Sequence, residues 1–240
     1  MKIAVVIPSY AGDLDKIPNM LKSIAAQTRQ PDLVILRISS VNSAPVYKTP
    51  FPLTVMTTSI KQSAAQNRNA GATAVPEEYD IVSFFDSDDW MHPRRIEYIE
   101  RAFQEPVDVV LHSMFCKRED EFDTWPMVSY YFYEKCCFLN EEGNRCFISI
   151  NGYRKDAQAG HLSVRRTVLE DTFFPVTEST IGFEDTLFLV NLHKLGFSFG
   201  FIDAQLSLYM QFSPEIRFEK DSVLYQLRGE LIDTHTESVC

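Results

Sequence analysis

Three carboxylates stand within four positions of the sequence, at Asp86, Asp88 and Asp89. Placing that much negative charge in one turn is costly unless a cation lies beside it. A hard divalent cation with oxygen ligands, Mg²⁺ or Mn²⁺, suits these donors, and such an ion commonly shares its coordination with substrate phosphates. The alternative is a solvated acidic turn that caps the following helix, and this alternative is sufficient to explain Asp89.

A second acidic pair, Glu184 and Asp185, lies far downstream of the first cluster. It precedes residues 186–195, whose apolar spacing predicts a helix that ends at Gly196. The helix dipole favours acidic residues at such a position, so the pair has a purely structural explanation. Its functional explanation is acid–base catalysis: one acidic site would hold a cation and a phosphate, and the other would move a proton.

The first acidic cluster directly follows residues 79–85, whose β-branched and aromatic side chains predict a buried strand. After the cluster, residues 94–103 have helical spacing, and Pro93 stands where a first-turn proline is expected. The cluster is therefore predicted to lie at the carboxyl end of a central strand, which is where open α/β sheets bind their ligands.

The rest of the chain alternates apolar strands with helices. The other predicted strands are residues 3–7, 33–38, 53–57, 107–115, 162–166 and 197–209, and the other predicted helices are residues 13–27 and 63–75. This alternation predicts an α/β fold with a doubly wound parallel sheet that is covered on both faces. Residues 117–159 break the pattern and are predicted to be an insertion of short strands and loops, and residues 213–233 are predicted to form a helical tail.

The composition is that of an ordinary globular protein. With 33 acidic and 23 basic residues the net charge is -10, which argues against a nucleic-acid-binding or anionic-membrane surface. No apolar run approaches the ~18 residues of a membrane span, and the opening MKIAVVIPSY does not have the form of a signal peptide. Five scattered cysteines predict reduced thiols rather than a zinc site, so we expect a cytoplasmic protein for which peripheral membrane contact stays open.

Six motifs carry a family resemblance: VVIPSY, SIAAQTRQPD, QNRNAG, FFDSDDWMHPRRIEYI, LSVRR and FEDTLFLVNLHKLG. In their order and spacing they resemble the family 2 type glycosyltransferases of the GT-A fold. The resemblance implies a Rossmann-like, mostly parallel sheet in one domain. Within that domain it implies a nucleotide-sugar-binding half at residues 1–116, an acceptor and catalytic half at residues 117–212, and a tail at residues 213–240.

The resemblance also implies a reaction. The donor is a nucleotide-sugar, with UDP as the favoured nucleotide, and the cofactor is Mn²⁺ or Mg²⁺. The sugar is transferred with inversion at the anomeric carbon to a hydroxyl of a glycan, a lipid-linked glycan or a protein. No nucleic-acid partner is implied.

By the same resemblance each acidic position has a role. Asp86 and Asp88 match the family's DxD motif: Asp86 would contact the ribose or sugar of the donor, and Asp88, together with Asp86, would hold the cation that bridges the diphosphate. Ser87, between them, belongs with the donor-binding residues. Asp185 matches the family's catalytic base and Glu184 would orient it or the acceptor, although the choice of base within the pair stays open.

The remaining donor-binding positions implied by the resemblance are Pro8, Ser9, Tyr10, Ser39 and Arg68. Arg68 would reach the base or the diphosphate, and a surface salt bridge is an equal alternative for it. Arg165 and Arg166 match the family's paired arginines, for which we favour a role in fixing the fold. Trp90 and His161 border these motifs and are given a lining role only.

The sequence departs from the family pattern in two places. Where the family usually has nucleobase-binding carboxylates, after the second strand, residues 37–40 read Arg-Ile-Ser-Ser. Ser39 can hydrogen-bond a base, but the usual basis for uracil specificity is missing. After the last strand, residues 209–212 contain no histidine to act as an extra metal ligand, so the metal would rely on Asp88, phosphate oxygens and water.

Two other functions stay open at this point. A degenerate domain of this fold would bind a nucleotide or carbohydrate without catalysis, and the missing nucleobase carboxylate is the best support for it. A phosphohydrolase that uses an aspartyl nucleophile also has a DxD motif after a strand. That motif belongs to the first strand of the fold and needs a downstream lysine, whereas here it follows the fourth predicted strand.

Overall fold

The computed structural model describes residues 1–118, 159–176 and 184–211. The predicted insertion, apart from its ends, and the predicted tail lie outside the described residues. The strands are β1 (Ile3–Tyr10), β2 (Leu33–Ser39), β3 (Leu53–Thr57), β4 (Ile81–Phe84), β5 (Trp90–Met91), β6 (Val109–Arg118), β7 (Leu162–Arg165) and β8 (Phe199–Gln211). The helices are α1 (Ile17–Ala25), α2 (Ala64–Thr73), α3 (Arg95–Ala102), α4 (Val168–Asp171) and α5 (Glu184–Lys194).

The strands of the described ranges form one sheet in the order β3-β2-β1-β4-β7-β6-β8-β5. Strands β3, β2, β1 and β4 run parallel to their neighbours, and β6 runs parallel to β8. The predicted mostly parallel sheet is confirmed, and its antiparallel exceptions are β7, which is antiparallel to both β4 and β6, and β5, which is antiparallel to β8. The sheet is thus mostly parallel, with the reversal immediately beside β4.

Both faces of the sheet are buried, as the continuous apolar strands predict. Side chains of β1 alternate between two cores: Ala4 and Val6 face a cluster shared with α2 and α5, and Ile3, Val5 and Ile7 face a cluster shared with α1 and α3. This arrangement confirms the predicted covering of the sheet by helices on both sides. None of the helices in the described ranges is both long enough and apolar enough to cross a membrane.

Strand β1 is longer than predicted and reaches Tyr10 rather than Ile7. The extension forms because Pro8 to Tyr10 continue to pair with β2, after the pairing with β4 has ended at Val6 and Phe84. The VVIPSY motif therefore lies on the strand itself, with β2 on one side. On the other side the chain leaves β4 and enters the acidic turn.

Two helices begin later than predicted. Residues 11–13 form a separate 3₁₀ turn, so α1 starts at Ile17 with Pro18 in its first turn. Helix α3 starts at Arg95, which places Pro93 in the preceding turn rather than inside the helix. As a result, the short segments that follow β1 and β4 lie outside the α-helices.

Helix α2 begins with a capping box. The Ser63 Oγ accepts from the Gln66 backbone N–H at 3.2 Å, and the Ser63 N–H donates to Gln66 Oε1 at 2.8 Å. Gly71 lets the helix approach β1 closely, because a Cβ there would lie 2.6 Å from Val6 Cγ1. These contacts fix the helix that carries Asn67 and Arg68 against the end of β1.

Helix α5 ends at Lys194, and Gly196, the predicted helix stop, follows it with a φ of 84°, the left-handed conformation that glycine adopts without strain. The Phe197 N–H donates to the Leu192 carbonyl at 3.1 Å, which satisfies one of the last carbonyls of the helix. At the other end, the described part of α5 begins at Glu184, so the acidic pair lies in its first turn.

Candidate active site

The acidic turn follows β4 directly and is held from the β1 side by Asp13, a residue that the sequence did not single out. Ser87 is buried, and its hydroxyl donates to Asp13 Oδ2 at 3.0 Å. Lys16 Nζ donates to Asp13 Oδ1 at 2.9 Å. Ser87 is therefore bound to the protein rather than turned toward solvent. In the sequence, only its position marks Asp13: it is a carboxylate that closely follows β1, the strand that carries the VVIPSY motif.

The Asp88 carboxyl group lies close to two other negatively charged side chains, Asp86 and Asp13. Burial raises its pKa to about 6, and the neighbouring charges of Asp86 and Asp13 add to the effect. Lys16 opposes the shift without cancelling it. Among the charges that act on Asp88, those of Asp86 and Asp13 outweigh that of Lys16, and a position of this kind attracts a cation.

Asp89 is fully buried, and the interpretation of this residue as a solvated helix cap is wrong. Its Oδ1 accepts from the Met210 backbone N–H of β8 at 2.9 Å. Burial first, and then the charges of Asp88 and Asp86, raise the pKa of Asp89 well above its usual value, against the opposing effects of the Met210 N–H and Arg95. Asp89 thus links the acidic turn to strand β8.

Arg68 joins the two acidic sites. Its guanidinium lies 2.8 Å from Asp86 Oδ1 and 3.0 Å from Glu184 Oε1, and its side chain is only 7% exposed. The surface salt bridge considered from the sequence is therefore wrong, because the ion pair is buried. Burial alone lowers the pKa of Arg68, but the charges of Asp86, Glu184 and Asp185 outweigh burial and the net shift is upward. The Arg68 guanidinium thus holds the acidic turn after β4 beside the beginning of α5.

The end of β1 forms a polar cluster with β2 and α2. Asn67 Nδ2 donates to the Ser9 carbonyl at 3.1 Å and to Ser39 Oγ at 3.0 Å. Ser9 and Ser39 are buried, whereas Tyr10 is 50% exposed and Ser40 is exposed with a φ of 62°. Tyr10 and Ser40 are therefore the residues of this cluster that a ligand meets first. Asn67, which the sequence analysis did not select, stands next to Arg68 in the QNRNAG motif.

Gly160 packs directly against Asp86. A Cβ at Gly160 would lie 2.8 Å from Asp86 Oδ2, so no larger residue fits there while Asp86 keeps its place. The glycine belongs to a 3₁₀ turn, Ala159–His161, that leads into β7. Asp86 is consequently held between this turn on one side and Arg68 on the other.

The paired arginines of β7 and its following turn make structural contacts. Arg165 donates to the backbone carbonyls of Val107 at 2.7 Å, Phe103 at 3.2 Å and Glu105 at 3.1 Å. Arg166 forms an ion pair with Glu170 at 2.6 Å. These contacts fit the favoured interpretation, a role in fixing the fold where α3 leads into β6.

A cavity of about 360 Å³ lies between α1, β5 and β8, beside Trp90. None of the residues implied in donor binding or catalysis lines it. Trp90 is 41% exposed and borders this cavity, while His161 is buried. The sequence analysis gave Trp90 and His161 a lining role beside the site. In the structure Trp90 lines this separate cavity, and His161 faces the interior of the protein.

A family model described as glycosyl transferase family 2 matches residues 4–158, which is more than half of the chain. The chain belongs to glycosyltransferase family 2. In this family 2 glycosyltransferase the matched region includes β1, the QNRNAG motif and the acidic turn, and it ends before Glu184 and Asp185.

A curated relative of this family 2 glycosyltransferase, from Haemophilus influenzae, is named an uncharacterized glycosyltransferase. It is 26% identical over 123 residues, which cover 50% of the present chain and 41% of the relative. The matched residues therefore span about two fifths of the length of that relative.

Solved structures of S. aureus TarS, residues 1–349, have the same fold at 18% identity. The complex with UDP-GlcNAc gives a TM-score of 0.67, with 100% of this chain and 67% of that chain covered. The complex with UDP gives a TM-score of 0.64, with 100% and 66% covered. These likenesses confirm the predicted α/β, GT-A type fold.

Proposed function

We propose that the protein transfers a sugar from a nucleotide-sugar to an acceptor hydroxyl. The observation that carries the proposal is the buried bridge Asp86–Arg68–Glu184, which places a DxD turn and an acidic helix N-terminus next to each other. A transferase needs such a pairing, because the donor diphosphate and the attacking hydroxyl meet at one carbon atom. Membership of family 2 supports the reaction class.

UDP is the nucleotide that we propose for the donor. TarS, whose fold this chain shares, binds UDP and UDP-GlcNAc in its solved complexes. In the present chain the base would lie at the carboxyl ends of β1 and β2, near Tyr10 and Ser40. No carboxylate follows β2, so the base would be recognised by hydroxyl, amide and backbone groups instead.

The cofactor that we propose is Mn²⁺ or Mg²⁺, held mainly by Asp88. The excess negative charge around Asp88 suits a divalent cation, and oxygen donors suit these metals. Within the described ranges no group of three or more His, Cys, Asp or Glu side chains is arranged to hold a metal, so phosphate oxygens and water would complete the coordination. Asp86 is already bound to Arg68 and would contribute less. When bound, the cation would stabilise the negative charge of the leaving nucleoside diphosphate as a Lewis acid.

The catalytic base that we propose is Asp185. The acceptor oxygen attacks the anomeric carbon from the face opposite the leaving group, and its proton passes to the Asp185 carboxylate. The bond between the anomeric carbon and the diphosphate oxygen breaks, and the nucleoside diphosphate leaves with the electron pair. This displacement inverts the configuration of the sugar. Glu184, held by Arg68, would orient the acceptor or the base.

A non-catalytic nucleotide-binding or carbohydrate-binding module is the second candidate. The specific observation in its favour is the absence of a carboxylate after β2. The phosphohydrolase alternative has lost its support, because the acidic turn follows β4 and the chain belongs to a glycosyltransferase family. The acceptor, whether glycan, lipid-linked glycan or protein, and the cytoplasmic location stay predictions.

A thermal-shift screen tests the donor site. UDP-, GDP-, dTDP- and CMP-sugars are each added with Mn²⁺ and with EDTA, to the wild type and to Asp88→Ala. A ligand at 100 times its Kd adds roughly 2.7 kcal/mol to the free energy of unfolding. We expect stabilisation by the UDP-sugars, only with Mn²⁺ and only in the wild type. No shift with any nucleotide would contradict the proposed donor site, and binding without any turnover would favour the module.

A further inference from the structure

Arg95, the first residue of α3, is fully buried behind the acidic turn. Its Nε donates to His112 Nε2 at 2.8 Å. One terminal nitrogen donates to the Phe84 carbonyl at 2.8 Å and to the Gly160 carbonyl at 3.1 Å. The guanidinium also lies over the Phe85 ring, 4.9 Å from its centroid. Arg95 thus contacts the end of β4, strand β6 and the 3₁₀ turn that contains Gly160.

The two carbonyls belong to the two backbone segments that hold Asp86. Phe84 is the last residue of β4, two positions before Asp86, and Gly160 packs against the Asp86 carboxylate. A single nitrogen of Arg95 thus sets the distance between these segments. Arg68 binds the Asp86 carboxylate directly, and Arg95 holds the backbone segments on either side of it.

Arg95 also supplies positive charge beneath the turn. Burial lowers its pKa to about 9, and the charges of Asp89 and Asp86 oppose this shift. His112 must be uncharged at Nε2 to accept the hydrogen bond from Arg95. Burial, together with Arg95, lowers the pKa of His161 to about 3, so this ring, 5.3 Å from that of His112, is neutral as well. The charge of this buried cluster therefore resides on Arg95.

Burying a charged guanidinium in a protein core costs free energy, because the charge loses its contact with water. Well-packed apolar side chains of similar volume are commonly as stabilising as buried charged groups, or more so. One nitrogen of Arg95, Nη1, has no hydrogen-bond partner among the described residues, which adds to the cost. The arrangement is better explained by what it does to the turn than by stability alone.

We propose that Arg95 is a positioning residue that keeps the Asp86–Asp89 turn in its donor-binding conformation through its two carbonyl bonds and its charge. This inference rests on the proposed function for its effect on donor binding. Its effect on the turn itself is independent of that function.

The test compares three folded variants: Arg95→Met, Arg95→Lys and the control Arg165→Met. Arg165 is a fair match because it also donates to backbone carbonyls and lies over a phenylalanine ring, 5.4 Å from the centroid of Phe103, outside the acidic turn. Amide hydrogen exchange is measured for peptides covering residues 84–91 and 204–211. UDP binding with Mn²⁺ is measured by calorimetry on the same samples.

We expect Arg95→Met to speed exchange in both peptides and to weaken UDP binding, each at least about tenfold. Arg95→Lys keeps the charge but cannot reproduce the planar fork, so intermediate values are expected. Arg165→Met should lower the melting temperature without either local effect. If only the lysine variant folds, it decides the matter through the same two measurements.

Wild-type exchange at residues 84–91 in a folded Arg95 variant would overturn the inference. Faster exchange with unchanged UDP affinity would overturn it too, because the turn would then be dispensable for donor binding. If the wild type itself binds no UDP with Mn²⁺, the proposed donor site fails. In that case the exchange measurement alone decides whether Arg95 positions the turn.

Discussion

Asp88→Asn is expected to make the cation-free protein more stable while it abolishes sugar transfer. The wild-type carboxylate is half-buried near the charges of Asp86 and Asp13, and its pKa in the folded state is raised to about 6 from 3.8. A raised pKa means that the ionised group destabilises the fold, here by ~1–3 kcal/mol at pH 7. Removing the charge should therefore raise the melting temperature by about 2–10 °C in a protein of this size.

The gain in stability has a defined pH dependence. The folded state holds the Asp88 proton more tightly than the unfolded state, so the penalty is absent below the unfolded pKa and complete above about pH 6. The difference between Asp88→Asn and wild type should thus vanish near pH 4 and reach its full value at pH 7. Asp15→Asn removes the same charge from an exposed position in the segment between β1 and α1 and serves as the control.

Urea denaturation of both variants between pH 4 and 7, with EDTA present, measures this effect. Sugar transfer with Mn²⁺, measured in parallel, should fall at least about 100-fold in Asp88→Asn and stay unchanged in Asp15→Asn. A destabilised Asp88→Asn would show that the residue is a structural carboxylate with adequate partners. The role of the turn as a cation site would then be contradicted.

Arg68→Met is expected to destabilise the protein by about 2–4 kcal/mol, because it removes the guanidinium that pairs with the largely buried carboxylates of Asp86 and Glu184. This loss of stability is at the low end for a broken buried ion pair, because the Asp86 side chain is 21% exposed. Transfer should be lost as well, since the bridge is the contact between the DxD turn and the acidic helix N-terminus.

Urea denaturation of Arg68→Met and of the wild type at pH 7 measures this loss of stability. Arg166→Met, which breaks the ion pair with the exposed Glu170, is the control and should cost under about 1 kcal/mol. Equal effects of the two substitutions would mean that the Arg68 bridge is no stronger than a surface pair.

The elements of this fold are largely readable from the sequence because their signals are local. The apolar run before the acidic turn, the capping residues of α2 and the glycine that ends α5 each act within a few positions. The antiparallel direction of β7 has no such signal, because strand direction follows from contacts between distant segments. The extension of β1 to Tyr10 likewise depends on pairing with β2.

The site is less predictable than the fold because its charges are paired across the chain. Arg68 and Arg95 lie in helical sequences that are polar enough for a surface. Their burial follows from carboxylates and carbonyls that lie far away in sequence, such as Glu184 and Gly160. Asp13 and Asn67 were missed for the same reason: an isolated polar residue near a motif indicates a site only once the strands and helices have been assembled.

The most direct test of the account measures UDP release from UDP-GlcNAc with Mn²⁺, alongside UDP binding, in the wild type and in Asp185→Asn. The substitution is nearly isosteric and removes only the proton acceptor. We expect the wild type to release UDP in the presence of Mn²⁺ and not with EDTA. Asp185→Asn should bind UDP as tightly as the wild type but release UDP from the donor at least about 100-fold more slowly. A full rate in Asp185→Asn, or an equal wild-type rate in EDTA, would contradict a metal-assisted displacement with Asp185 as its base.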